Sequence, residues 1–160
     1  YPPTGIVAPD EVFPRTAAWA PRRWYSGWTR SILPNARFDA RSTELALAEL
    51  CEASNPDVAW WVRVEAHQDV WIPYGHRQRP YPDFIVVTGD GDHWMVEGKA
   101  DDRANDPDVL EKKNAGFEWA RFANDSGDAT ATWHYLFATE TAIKQAGGTW
   151  TALKNFAEWE

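Results

Sequence analysis

Two short apolar runs facing each other across a glycine turn constrain this chain more than any other feature. Phe84-Ile85-Val86-Val87 is apolar on both faces, as a strand inside a sheet must be, and Pro82-Asp83 opens it. Gly89-Asp90-Gly91 supplies turn residues, and His93 to Lys99 returns as a second strand carrying Trp94, Met95 and Val96. The pattern predicts a central β-hairpin whose register depends on the turn. A three-residue loop pairs Thr88 with Asp92 and sets Asp83 opposite Glu97 on one face. A two-residue Asp90-Gly91 turn pairs Asp83 with Gly98 instead and points it away, unless a bulge intervenes.

Periodicity organises the rest. Ser42 is placed to cap a helix running to about Ala53, with Leu47, Leu50 and Cys51 as its apolar stripe and Glu44 at the border of that stripe. Glu49 and Glu52 fall toward solvent, and Asn55-Pro56 stops the helix. Val58 to Glu65 alternates as a half-buried strand does. Asp106-Pro107 reads as a cap and a first-turn proline that start a helix to about Asn124. Trp133 to Thr139 reads as a further strand, and the chain is helical again from about Thr149. The expected order is helix, three strands, helix, strand, helix, an α/β domain around a mixed sheet flanked by helices. Residues 1–37, rich in Arg, Trp and Pro, are expected to be an irregular segment laid over this core, with the domain proper spanning 38–160.

Composition narrows the class. A chain of 160 residues fits one domain, and no apolar stretch approaches the ~20 residues a membrane span requires. The single cysteine, Cys51, lies on the helix stripe and suits a reducing cytoplasm. Because the chain opens on Tyr1 without a signal-like run, it is expected to be a piece of something longer. The net charge of −8 argues against strong unaided binding to nucleic acid. Arg15, Arg22, Arg23, Arg30, Arg37 and Arg41 nevertheless crowd the start. With Trp24 and Trp28 beside Arg22 and Arg23, this segment can grip a strand by charge and stacking; the alternative is that the arginines pair with carboxylates while the aromatics pack.

The hairpin also carries the residues suited to chemistry. Asp83 and Glu97 are hard oxygen ligands of the kind Mg²⁺ selects, and hydrolysis of a phosphodiester needs a metal to activate water and neutralise charge on the phosphate. Glu97 and Lys99, two apart on a strand, share a face, so Lys99 is placed to orient that water or to stabilise the developing negative charge. Gly98 between them permits a close backbone approach, and its carbonyl is a further candidate ligand. The plainer reading is a solvated Glu/Lys pair, against which the apolar flanks speak. Asp101 and Asp102 are candidates for a second ion or simply a solvated loop. His67, His76, His93 and His134 lack the close spacing of a zinc site.

Tyr81-Pro82-Asp83-Phe84-Ile85-Val86-Val87 with Trp94-Met95-Val96-Glu97-Gly98-Lys99 resembles the P-D…(D/E)-x-K core of restriction-type nucleases. Phe38-Asp39 with Ser42-Thr43-Glu44, then Trp60-Trp61-Val62-Arg63-Val64, then Lys113-Asn114-Ala115-Gly116-Phe117-Glu118-Trp119 extend the likeness. They are similar to the nuclease region attached to type III restriction subunits and related DEAD/DEAH-box helicases, over the stretch from Trp24 to Phe137. The resemblance implies a restriction-endonuclease-like core and Mg²⁺-dependent cleavage of DNA, with Mn²⁺ able to substitute, by Asp83, Glu97 and Lys99. It further implies Glu44 as an additional metal ligand and Lys113 as a contact to phosphate. A helicase in the same polypeptide, upstream, would be the partner in restriction or phage defence. No phosphate-cradling G-x-x-x-x-G-K-[ST] loop occurs in this stretch, so such a motor lies outside it. Where the family commonly ends E-V-K-G, this chain reads Glu97-Gly98-Lys99-Ala100. A catalytically silent docking module of the same fold and a free-standing nuclease toxin or RNase are the alternatives.

Overall fold

Three short strands begin the computed structural model, which describes residues 9–65 and 81–160. β1 (Val12–Pro14) runs parallel to β2 (Trp24–Ser26), and β3 (Asn35–Ala36) pairs antiparallel with β2. The start of the chain, expected to be irregular, therefore carries a small mixed sheet. Its alternation is too short to register as a period, and its stability comes from contact with the core, into which Tyr25 and Ala36 are buried.

A π-helical turn over Arg41–Leu45 leads into α1 (Ala46–Ala53), so helical winding begins a residue before the expected cap. Ser42 does not cap it. No side chain caps this turn; the Glu44 carboxylate instead reaches back to accept the Asp39 backbone N–H at 2.6 Å, ahead of the helix. Glu52, expected toward solvent, has a side chain only 3% exposed. Its carboxylate accepts from the Thr29 and Arg30 backbone N–H groups, the Thr29 hydroxyl and the Trp61 indole, and it pairs with Arg15. Burial raises a carboxyl pKa, but these hydrogen bonds outweigh it and hold Glu52 below its ordinary value. Glu52 thus ties the arginine-rich start to the core, alongside backbone bonds between Arg30, Ile32 and Trp61 and the Arg37–Glu65 pair.

A five-stranded mixed sheet follows, with β4 (Val58–Arg63), β5 (Phe84–Thr88), β6 (His93–Lys99) and β7 (Trp133–Thr139) in chain order across it. β6 and β7 are parallel, and the crossover between them is α2 (Pro107–Asp125), reached through a 3₁₀ turn at Asp101–Arg103. α3 (Glu140–Gln145) continues directly from β7, α4 (Trp150–Phe156) starts after Thr149, and β8 (Glu158–Trp159) closes the sheet against β7. The expected α-β-β-β-α-β-α order is present, with α3 inserted between β7 and α4 and β8 added at the end. A register shift between Val58 and Trp60 breaks the alternation of β4, so that Val58 and Trp61 are both buried.

Alternation sends β6 and β7 into two cores. Trp94, Val96, Leu136 and Ala138 pack with α1, α3 and α4, while Met95, Tyr135 and Phe137 pack under α2 with Val109 and Ala120. Gly98 faces α1. A Cβ there would lie 3.0 Å from Leu47 Cδ1 and 3.3 Å from Thr43 Cβ, so the glycine in the Glu97-Gly98-Lys99 run lets the first helix close onto the strand. Among the described residues no helix is long and apolar enough to cross a membrane. His67 and His76 lie outside the described residues.

The contact between α2 and β7 is close enough to invert a familiar rule. Alanine in a helix interior usually stabilises by about 1 kcal/mol over glycine. At Gly116 an added Cβ would overlap the Tyr135 ring, which is fully buried and cannot yield. Gly116→Ala is expected to destabilise the fold by about 1–3 kcal/mol, the usual cost of overpacking. Thermal melting reads this as a lowered Tm, and a rise would contradict the packing described.

Candidate active site

The hairpin turn fixes the geometry of the site. Thr88 donates its N–H to the Asp92 carbonyl at 3.0 Å, and Gly91 adopts a φ of 94°, a conformation glycine reaches without strain. Asp90 ties the loop by accepting from the Thr88 hydroxyl and the Asp92 N–H. The loop is the three-residue one. β5 and β6 then pair Phe84 with Val96, Ile85 with Met95 and Val86 with Trp94, and Asp83, just before the first of these, donates its N–H to the Val96 carbonyl, next to Glu97. Of the two registers the sequence allows, the structure takes the one that brings the carboxylates together.

Asp83 Oδ2 accepts the Gly98 N–H at 2.9 Å, which anchors the acid to the neighbouring strand. Its other oxygen faces Arg63 at 3.5 Å. Arg63, 10% exposed, also donates to the Asp83 and Val64 carbonyls and reaches Glu44 Oε2 at 3.0 Å. Glu44, on the turn before α1, is therefore delivered to the edge of the site as expected, but with its charge already met by a guanidinium. Burial raises its carboxyl pKa, Arg63 opposes that, and the Asp83 charge adds to it.

Glu97 is the most enclosed acid of the group, with a side chain 3% exposed. Lys112, reaching across from α2, donates to Oε1 at 2.5 Å, while Oε2 has no hydrogen-bond partner among the described residues. Burial raises this carboxyl to a pKa of about 7, the Asp83 charge contributes further, and Lys112 and Lys99 pull the other way. The Tyr135 hydroxyl, on β7, likewise has no hydrogen-bond partner among the described residues. Burial holds its pKa well above the usual value, and the charges of Glu97 and Asp83 add to the effect. Asp83, Glu97 and Lys99 thus stand together, with Glu44 joined to them through Arg63.

Two residues here were not singled out in the sequence. Lys112 lies three residues after Val109 and four before Gly116, both buried, so a helical projection places it on the inward stripe of α2. Lys113, expected to touch phosphate, turns instead to Glu158 at 3.1 Å and sits over the Phe137 ring. Arg63 is paired with Phe84 across β4 and β5, and only the tertiary fold shows that its guanidinium reaches two acids.

The proposed stacking surface changes more. Trp28 is 8% exposed, packs edge-on against Phe38 and Trp61, and donates its indole N–H to the Tyr25 carbonyl. It belongs to the core, because the ring is enclosed by Phe38 and Trp61 with the Arg15 guanidinium over it and is closed to a base. Trp24 is half-buried beneath the Arg37 guanidinium. Arg23 donates to the Ala18 carbonyl and lies over Phe13, while Arg22 is exposed near Asp39. Asp101 accepts both the backbone N–H and the hydroxyl of Thr141, which lowers its pKa and commits it to the start of α3 rather than to a second ion. His134 bridges to Asp92 and stacks on Trp94.

For a divalent cation, the chemical fit is mixed. The donors are all oxygen, and Glu97 keeps one buried carboxylate oxygen open beside Asp83, which is what a hard cation would fill. On the other side, no three His, Cys, Asp or Glu side chains among the described residues are gathered closely enough to enclose an ion by themselves. A site would rest on Asp83, Glu97 and the Gly98 carbonyl, with Glu44 at its rim. Compared with known proteins, the chain matches no family model, no curated protein and no solved structure.

A stability consequence follows from Glu97. The folded state keeps its proton up to about pH 7, whereas an unfolded glutamate releases it near 4.5. Between those values the folded protein binds more protons than the unfolded chain, so without metal its stability falls as pH rises through that window. Replacing Glu97 with Gln removes the titration. The drop in Tm between pH 5 and pH 8, measured in chelator, is expected to be smaller in Glu97→Gln than in wild type. Equal drops would show that Glu97 is not held in this state.

Proposed function

We propose that this chain is a Mg²⁺-dependent phosphodiesterase domain with a restriction-endonuclease-like core, acting on DNA. The observation that carries the reading is the placement of Asp83, fastened to β6 by the Gly98 N–H, beside Glu97 and one strand step from Lys99, with a buried Glu97 oxygen that has no partner among the described residues. Asp83, Glu97 and the Gly98 carbonyl would hold the ion, which when bound supplies an activated water and positive charge at the phosphate. Asp83 is pre-oriented for this by the Gly98 N–H, and Arg63 keeps Glu44 at the rim. Lys99, partly exposed at the end of β6, would stabilise the charge that builds on the non-bridging oxygens.

The net charge of −8 accords with a domain that does not hold DNA by itself. A helicase in the same polypeptide would present the strand, in the cytoplasm, as part of a restriction or phage-defence protein. One observation favours a second reading. Arg63 and Lys112 already neutralise the acids, as they would in a silent docking module that keeps the fold and not the activity.

Plasmid nicking by the full-length protein separates the two. Lys99→Ala is expected to reduce Mg²⁺-dependent nicking by about 10²–10³-fold, the usual loss for one charge-stabilising group, while leaving Tm nearly unchanged. Asp83→Asn should lose cleavage as well. Wild-type rates in both variants would remove this domain from the chemistry and leave the docking module as the better account.

A further inference from the structure

Lys112 occupies a position that calls for explanation. It meets the most buried acid of the site, yet it satisfies only one of that acid's two oxygens. Its own side chain remains 29% exposed, so the ammonium sits at the mouth of the site on a flexible four-carbon stem. Arg63 contrasts with it. That guanidinium is 10% exposed and is tied to two backbone carbonyls as well as to Glu44 and Asp83, so it cannot leave without breaking several hydrogen bonds.

We infer that Lys112 is a built-in placeholder for the metal, a counter-ion that holds the Glu97 carboxylate until a divalent cation binds and must then swing out. This rests on the proposed metal site. Charge balance supports it. With all three carboxyls ionised, as metal binding requires, the negative charges of Glu44, Asp83 and Glu97 balance the positive charges of Arg63, Lys99 and Lys112. Adding a divalent cation with Lys112 in place would leave two uncompensated positive charges in a largely dry pocket. Releasing Lys112 leaves one, which the single negative charge of a phosphodiester then cancels. A departing ammonium also has somewhere to go. Asp108, exposed and one turn earlier on α2, is at the spacing where an acid and a lysine meet on a helix surface. Lys112 is accordingly a positioning residue, which keeps Glu97 in place before the ion arrives.

The inference is tested by calorimetric titration of Mg²⁺ into the full-length protein without nucleic acid. Lys112→Met keeps most of the stem and removes the competing charge. It is expected to bind Mg²⁺ about 5–10-fold more tightly than wild type, a change of roughly 1–1.4 kcal/mol. Lys113→Met, whose partner is Glu158, should match wild type. Binding by Lys112→Met equal to or weaker than wild type overturns the placeholder role while leaving the metal site standing. If neither protein binds Mg²⁺ at millimolar concentrations, the metal site itself fails and this inference with it. Should Lys112→Met not fold in metal-free buffer, Lys112→Arg decides the matter: its charge is kept and its fork holds a carboxylate more firmly, so it must bind Mg²⁺ more weakly than wild type. Equal or tighter binding by Lys112→Arg also overturns the proposal.

Discussion

The three-residue turn at Gly89-Asp90-Gly91 governs everything built around it, because a strand's side chains alternate and a slip of one residue would exchange the two faces of β5. With the turn closed by Thr88 and Asp92, Phe84 and Val86 enter the core beneath α1, and Asp83 is left on the face that Glu97 and Lys99 share. The same register places Gly98 beneath α1, where its missing side chain admits Leu47 and Thr43. The approach of that helix is what brings Glu44 within reach of Arg63. A local choice of turn therefore determines both the apolar packing on one side of the sheet and the acid pairing on the other.

Bringing like charges together in a poorly hydrated place is costly, and the structure meets that cost with cations from other elements. Arg63 from β4 spans Glu44 and Asp83, and Lys112 from α2 holds Glu97. Glu52 solves the opposite problem at the far end of α1, where one carboxylate satisfies two backbone donors, a hydroxyl and an indole and so fastens the N-terminal segment. What distinguishes the two places is the remainder. Glu52 is saturated with donors, whereas Glu97 keeps an oxygen with none. Structural acids in a stable fold are paired, so the unsaturated one is where chemistry is best sought.

Much of this was legible in the sequence, and the parts that were not share a cause. β7 at Trp133–Thr139 and α2 from Pro107 declare themselves through local pattern, a sustained apolar run in one case and an Asp-Pro start in the other. Asp83, Glu97 and Lys99 were identifiable because their spacing on two strands fixes which face they take. Register was left open between two values, since Gly-Asp-Gly permits either turn. Local pattern sends Glu52 toward solvent and leaves Trp28 open between stacking and packing, because residues elsewhere along the chain decide both. Glu52 is enclosed by Thr29, Arg30 and Trp61, and Trp28 by Phe38 and Trp61. The same holds for Lys112, whose inward direction is a helical fact but whose partner, fifteen residues earlier in the chain, is a tertiary one.

The central claim is that Asp83 and Glu97 form a metal site, and it is tested most directly by the anomalous scattering of Mn²⁺ soaked into crystals of the protein. A peak at about 2.0–2.2 Å from a carboxylate oxygen of each residue, with the Lys112 ammonium moved off Glu97, is the predicted result. Density without a peak between the two acids at saturating Mn²⁺, with Lys112 and Arg63 still in contact with them, would contradict it.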